Sequence, residues 1–344
     1  MRAPRRHDPA SQTRYQDLKQ LARTQARVLA GTPGTLKQRT QAGNRYWVRE
    51  YLRVDGRKAD EYLGPAASVP EPKVAALRGE IELARSLAAG SSTLRVFGYQ
   101  RIERKAAAVL GAFHNRGLFG AGLVLVGAHA YGALLNELGL VAAGYRTQDV
   151  DVARSQPLAV ALPGGTTFGQ LLGETGLAFV PVPAMPSHRP STSFKLPGAE
   201  SLRVDLLAPG RLAGSVVAVK ELGTHAQAVP FLDFLVAEPI ESVALSPNSA
   251  VPVRIPSPER FVLHKLYSSQ SRRADRDKAR KDLEQAAAIA VAVEEETPER
   301  LCDVFRKTPA AAKTAVARGA RAAARLLQGM HAGAQEALAR MARS

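Results

Sequence analysis

Residues 123–153 read LVLVGAHAYGALLNELGLVAAGYRTQDVDVA, and the order of signals within them decides the fold. LVLV at 123–126 is a short strand, Gly127 turns the chain, and AHAYGALLNELG repeats apolar residues at helical spacing as far as the terminator Gly139. After a loop containing Gly144, TQDVDVA at 147–153 returns to a strand. Asp149 and Asp151 flank Val150, so on that strand their side chains project from the same face. Two carboxylates so placed repel each other unless cations sit on them. Hard divalent ions such as Mg²⁺ take oxygen ligands, and two of them roughly 3.5–4 Å apart serve both the attacking and the leaving oxygen of a phosphoryl transfer.

A pair of ions needs a further carboxylate. Asp205 in LRVDLLAP is the leading candidate, because Leu202, Val204, Leu206 and Leu207 make its surroundings a buried strand where an unpaired acid is costly. Gly127 lets the backbone approach a ligand, and the helix behind it offers N–H groups to a triphosphate. Each piece alone has an ordinary reading: Asp-x-Asp is common in surface strands, and a glycine turn serves any α/β protein. Their combination points to a metal site.

Working outward, the alternation over 177–182 and 193–207 and the strand-rich stretch 228–256 predict a mixed sheet. Pro256-Ser257-Pro258 marks a border, with Ser257 as N-cap and Pro258 at the first helical position, and residues 258–343 read as helices. Upstream, 99–118 has helical spacing. Val74, Leu77, Ile81 and Leu87 predict a helix over 70–90, ended by Gly90 and Ser91-Ser92, with a linker near 90–95. AGNRYWVREYLRVDGRKADEYLGP at 42–65 reads as a β-hairpin about Asp55-Gly56. The first thirty residues, with Arg2, Arg5, Arg6, Arg14, Arg23 and Arg27, are expected to be disordered until a partner is met, apart from a short helix within 15–30. The fold class is therefore α+β. A basic N-terminal region with hairpin and helix spans 1–93, a catalytic domain spans 94–256, and a helical domain spans 257–344.

The formal charge of +16 attracts polyanions, nucleic acid first among them. Residues 1–67 hold fourteen Lys/Arg against six Asp/Glu, half of the chain's excess in about a fifth of its length. There Tyr46, Trp47, Tyr51 and Tyr62 interleave with Arg45, Arg49, Arg53 and Arg57, which suits either stacking on bases or the small core of a hairpin. The single cysteine, Cys302, excludes an internal disulfide framework and a Cys-rich zinc site. No apolar run reaches the about eighteen residues that span a bilayer, and no signal core follows the basic start, so no membrane association and a cytoplasmic location are expected.

LVGAHAYGALLNELG, YRTQDVDV and VDLL together resemble the stand-alone bacterial members of the polymerase-β nucleotidyltransferase superfamily. ELGTHAQAVPFLDFLV at 221–236, IPSPERFVLHKLYSSQSRR at 255–273 and KARKDLEQA at 278–286 are similar to the same group, which is related to the abortive-infection nucleotidyltransferase toxins. The resemblance covers roughly residues 95–290. It implies a polymerase-β-like domain with mixed sheet that moves a nucleoside monophosphate from an NTP to a hydroxyl, releasing pyrophosphate. Asp149, Asp151 and Asp205 would hold two Mg²⁺, with Mn²⁺ a substitute, and Asp205 would help activate the acceptor. Gly127 and the backbone around it, Ala128 included, would line the phosphates, with His129 either a substitute contact or a satisfied helix histidine. The superfamily usually carries Gly-Ser or Gly-Gly where this chain has Gly127-Ala128. Lys265 and Lys281 match places where related toxins present cations to the triphosphate, against a plainer reading as solvated helix lysines, and Lys195 is a weaker nucleotide contact. The basic run Arg272, Arg273, Arg276, Lys278, Arg280 and Lys281 suits an RNA acceptor or a solvated helix face. RNA is the first choice among RNA, protein and small-molecule acceptors, and an antitoxin protein is the partner implied by the toxin relation. The alternative is a nucleic-acid-binding protein that keeps the fold without catalysis.

Overall fold

The computed structural model describes residues 4–144, 147–154, 156–158, 165–186, 189–198, 202–272 and 275–343. The chain begins with a two-residue strand β1 (Arg5–Arg6) and helix α1 (Pro9–Arg23), whose N-cap Asp8 accepts a hydrogen bond from Ser11 N. Tyr15, Leu18 and Ala22 of α1 are buried against Leu87, Leu94, Tyr99, Val243 and Leu245. Disorder over the first thirty residues is thus corrected for those described. Three apolar side chains at helical spacing suffice to dock a helix that is otherwise polar.

An antiparallel sheet follows, made of β2 (Thr35–Gln41), β3 (Asn44–Leu52) and β4 (Lys58–Pro65). The Asp55-Gly56 turn lies between β3 and β4 as expected, with Gly56 at φ +83°. Strand β2 goes beyond the expected hairpin. Its TLKQRTQ has one bulky apolar residue, Leu36, and hides its identity as an edge strand. Helix α2 (Glu71–Val96) does not stop at Gly90, and the expected linker is helical. At Gly90 the helix runs close to α1, where a Cβ would lie 2.6 Å from Leu18 Cδ1, and Ser91 Oγ donates to Ser246 O at 2.7 Å. Both residues serve close packing, not termination.

Helix α3 (Arg104–Asn115) leads into strand β5 (Val124–Val126), helix α4 (Gly127–Glu137), β6 (Leu140–Val141), which pairs with β1, and β7 (Asp149–Ala153). Then come α5 (Phe168–Gly173), β8 (Val180–Pro181), β9 (Ser193–Lys195), β10 (Arg203–Pro209), β11 (Val216–Val219), β12 (Thr224–Val229) and α6 (Leu232–Val236). The sheet runs β11-β12-β10-β7-β5, with β9 also on β10 and β8 on β9. It is mixed: β10 is parallel to β7 and β12, whereas β5 is antiparallel to β7. The hairpin β13 (Pro239–Leu245) and β14 (Ala250–Pro256) closes this region. The expected α+β class with a mixed sheet is the one found.

Ser257 and Pro258 open α7 (Pro258–Ser271) as expected, although the Ser257 hydroxyl makes no capping bond. Helices α8 (Arg276–Glu296), α9 (Arg300–Arg306), α10 (Ala310–Leu326) and α11 (Ala332–Arg343) complete the chain. Their alanine-rich faces, including Ala286, Ile289, Ala320 and Leu338, share one continuous apolar core with Val124, Val150 and Val204 of the sheet. Among the described residues no helix is long and apolar enough to cross a membrane. Helix α10 meets α7 through Gly319, where a Cβ would overlap Leu266 O and lie 2.8 Å from its carbonyl carbon. Backbone cannot rotate away as a side chain does. Gly319→Ala is expected to destabilise the protein by about 2 kcal/mol or more, read by urea unfolding, whereas an unchanged midpoint would show that α10 slides freely over α7.

Candidate active site

The alternation in DVDVA buries Val150 and Val152 and leaves Asp149 and Asp151 on the opposite face of β7. Strand β10 does the same with Val204 and Leu206 buried and Asp205 opposite. In the parallel register Asp205 is beside Asp151 and Arg203 is beside Asp149. On the other side, Val126 is opposite Asp151, so the end of β5 delivers Gly127 to the same carboxylate. Three acids are thereby gathered on neighbouring strands. Burial, then the negative charges of Asp205 and Asp149, push the Asp151 carboxyl up to about 7, against the pull of Lys265 and Arg272.

Gly127 has φ +69°, and a Cβ there would overlap Asp151 Oδ2. A glycine is therefore required on two counts, conformation and space. It starts α4 and brings the backbone against the acid cluster.

The facing wall comes from α7 and α8. Asp282, only 1% exposed, accepts from Lys265 Nζ at 2.7 Å and pairs with Arg272 at 3.3 Å, which fixes both cations toward the cleft. Lys265 also lies over the Phe261 ring, 5.3 Å from its centroid. Between the walls is a cleft of about 640 Å³, lined on the sheet side by Gly127, Ala128, Asp149, Asp151 and Asp205 and on the helix side by Lys265, Arg272, Lys278 and Lys281. The sheet wall is acidic, and the helix wall is basic on balance, its Asp282 paired with Lys265 and Arg272 and its Asp275 with Lys278. A polyphosphate with its counter-cations matches that division, cations on the carboxylates and phosphate oxygens on the lysines and arginine.

The donor set suits a hard divalent ion: all carboxylate oxygens, with a mutual repulsion that an ion would relieve. As the side chains stand, no three His, Cys, Asp or Glu groups converge tightly on one point among the described residues. Asp205 Oδ1 instead accepts from Arg203 Nε at 2.7 Å, while another Arg203 nitrogen donates to Ser193 Oγ at 2.8 Å. Side-chain rotation would have to bring the three acids around an ion.

A profile of the nucleotidyltransferase family matches residues 104–310, well over half of the chain and the whole of the cleft just described. The chain belongs to that family. No curated protein and no solved structure matches it. The matched span runs from the start of α3 into α10, so the N-terminal sheet, α1 and α2 lie outside it.

In this chain the residues singled out from sequence are only partly brought together. Gly127, Ala128, Asp149, Asp151, Asp205, Lys265 and Lys281 line the cleft. His129 does not: two residues beyond Gly127 on a helix, it points away, into a small cavity beside Gln100, Asn136 and Val243. It is buried, and its pKa is lowered to about 4 by that burial. Lys195 is exposed on β9 and also lies outside the cleft. Arg273 falls outside the described residues. Sequence reading missed Arg203 as the partner of Asp205, although two residues apart on a strand places them on one face. It also missed Asp282 as the anchor of Lys265, a pairing between two helices that no local spacing reveals.

Of the aromatics in the N-terminal sheet, Tyr62 is 59% exposed beside Tyr46, whereas Tyr51 and Trp47 are covered by arginines. Arg49, 1% exposed, donates to Glu61 and to the carbonyls of Ala30, Thr32 and Pro33, and covers Tyr51 at 4.1 Å. Trp47 lies under Arg78, and Arg53 is bound to the carbonyl of Gly176.

His264 lies in the cleft wall, stacked on Phe231 at 6.0 Å, and burial, then Lys265 and Arg272, lower its pKa to about 3. Histidines 129 and 264 are thus neutral in the fold but take up protons when unfolded below about pH 6.5. The unfolded chain then binds more protons, so stability present above pH 6.5 is lost as the pH falls toward 4. At pH 5 each histidine is expected to cost about 2 kcal/mol, and His264→Phe should recover its share in urea titrations at pH 5 against pH 7.5. Equal losses in the two proteins would refute this.

Proposed function

We propose that the protein transfers a nucleoside monophosphate from an NTP to a hydroxyl acceptor and releases pyrophosphate. The observation that carries the reading is the placement of Asp151 between Asp205 and the Gly127 turn, across the cleft from Lys265 and Arg272. Two divalent ions, Mg²⁺ or Mn²⁺, would neutralise the attacking and leaving oxygens, and Asp149, Asp151 and Asp205 are the residues that would hold them.

The chain's own groups supply the rest. The backbone at Gly127 and Ala128 and the first turn of α4 hold phosphate oxygens. Lys265, Arg272 and Lys281 neutralise the charge that grows on pyrophosphate as the bond between the α-phosphorus and its bridging oxygen breaks. Asp205, once turned from Arg203 Nε, which it now meets at 2.7 Å, would accept the proton of the incoming hydroxyl as its oxygen bonds to the α-phosphorus. Rate would come from in-line positioning and charge neutralisation, with no covalent enzyme intermediate.

An RNA hydroxyl is the acceptor that the net charge of +16 favours. The sequence resemblance to the polymerase-β superfamily and to abortive-infection toxins extends the proposal to a protein antitoxin as partner and to work in the cytoplasm. The test is label transfer from each α-³²P-labelled NTP with Mg²⁺, using total RNA or the protein itself as acceptor. Wild type should transfer label and Asp149→Ala with Asp151→Ala should not. A wild type that neither transfers label nor binds NTP would end the transferase reading.

A further inference from the structure

A second basic surface lies outside the cleft, where α2 ends and α3 begins. Residues 95–105 read RVFGYQRIERK, four cations against the one acid Glu103. Arg95 and Arg104 are exposed and Arg101 is partly so, and none of the three has an ion pair or side-chain hydrogen bond among the described residues. Elsewhere on this chain arginines are commonly tied to carboxylates, as Arg39 is to Asp60 at 2.6 Å and Arg116 is to Glu174. These three are instead close enough to repel one another: burial, then the like charges of Arg95 and Arg104, lower the pKa of Arg101. Such a cluster is unfavourable by itself and is relieved by a polyanion.

Between the arginines, Val96 is 84% exposed and Phe97 is 42% exposed. An exposed ring amid uncompensated guanidinium groups suits an unpaired base stacking while its phosphates are neutralised. The surface also adjoins the catalytic cleft. Gln100 packs against Gly132 of α4, and a Cβ on Gly144, in the loop that leads to Asp149, would overlap Gln100 Oε1. Arg101 shares a small cavity with Ala128, which also lines the cleft.

We infer that Arg95, Phe97, Arg101 and Arg104 form a docking surface for the single-stranded part of an RNA acceptor, guiding its hydroxyl to the cleft beside Asp149. The inference rests on the transferase reading and adds to it the place where the acceptor is held. These residues lie at or before the start of the matched family region, so the surface belongs to this chain's flank and not to the nucleotide site.

The test compares wild type with the triple variant Arg95→Ala, Arg101→Ala, Arg104→Ala and with Phe97→Ala. Affinity for a short fluorescein-labelled single-stranded RNA is measured by anisotropy over a range of salt. Binding of each NTP with Mn²⁺ is measured separately by calorimetry. The triple variant is expected to bind RNA at least about tenfold more weakly, with a salt slope shallower by about 2, and to bind nucleotide as wild type does. Phe97→Ala should weaken RNA severalfold with the slope kept, since stacking releases no counterions. RNA affinity and slope unchanged in the triple variant would overturn the inference. So would a wild type that binds nucleotide and labels a protein but not RNA, which leaves the transferase reading intact; absence of nucleotide binding in wild type would overturn both.

Discussion

Asp151→Asn is expected to abolish nucleotidyl transfer while making the protein harder to unfold in the absence of divalent ions. The first effect follows from position. Asp151 is the central member of the acid cluster, beside Asp205 in register and against Gly127, so no neighbouring carboxylate can take over its place. A loss of at least about 1,000-fold is expected, of the size seen when charge-stabilising groups are removed from transfer reactions. The second effect follows from what the acid costs. Burial and two like charges disfavour its ionised form, raising its pKa to about 7, so above that pH the folded state carries a charge that the unfolded chain tolerates better. Relief of on the order of a few kcal/mol is expected at pH 8. Urea unfolding in EDTA and again in MgCl₂ would read both: wild type should gain stability from Mg²⁺ and the variant should not. A variant that is less stable than wild type in EDTA would mean that Asp151 is held by favourable contacts and not by the need for a cation.

Gly127→Ala should be the more damaging of two single-methyl changes on the same helix. At φ +69° an alanine is strained by about 1–2 kcal/mol, and its methyl group would displace the Asp151 carboxylate. Because the displaced atom belongs to the acid cluster, transfer should fall about 100-fold or more, beyond what the loss of stability explains. Gly132→Ala, five residues on, is the control. Its methyl would sit 3.4 Å from Gln100 Cβ with no positive φ, so activity should fall by less than about twofold. Comparable losses in the two variants would show that the helix, not the turn, is the sensitive element.

Legibility followed the range of the interaction. The strand, turn and helix at 123–139, the DVDVA strand and the Ser257-Pro258 helix start are local patterns, and each was readable because one residue's neighbours in sequence are also its neighbours in space. Gly90 shows the limit. In sequence it looks like a helix terminator, but it sits in mid-helix, packed against Leu18 from a distant segment. His129 shows another: adjacency to the glycine turn left both a phosphate contact and a satisfied helix histidine open, and helical rotation turns the side chain out of the cleft into the cavity beside Ala128.

The sequence alone determined the α+β class, the order of strand, glycine turn and helix, and the identity of three acids whose spacing and apolar surroundings make them costly without a counter-charge. Only the tertiary structure decided which groups meet them. The parallel register that sets Asp205 beside Asp151 and the buried Asp282 that aims Lys265 and Arg272 across the cleft join side chains from separate strands and helices. Those pairings are set by how the sheet and the helices pack around one apolar core, and that packing is a property of the whole chain that no window of sequence contains.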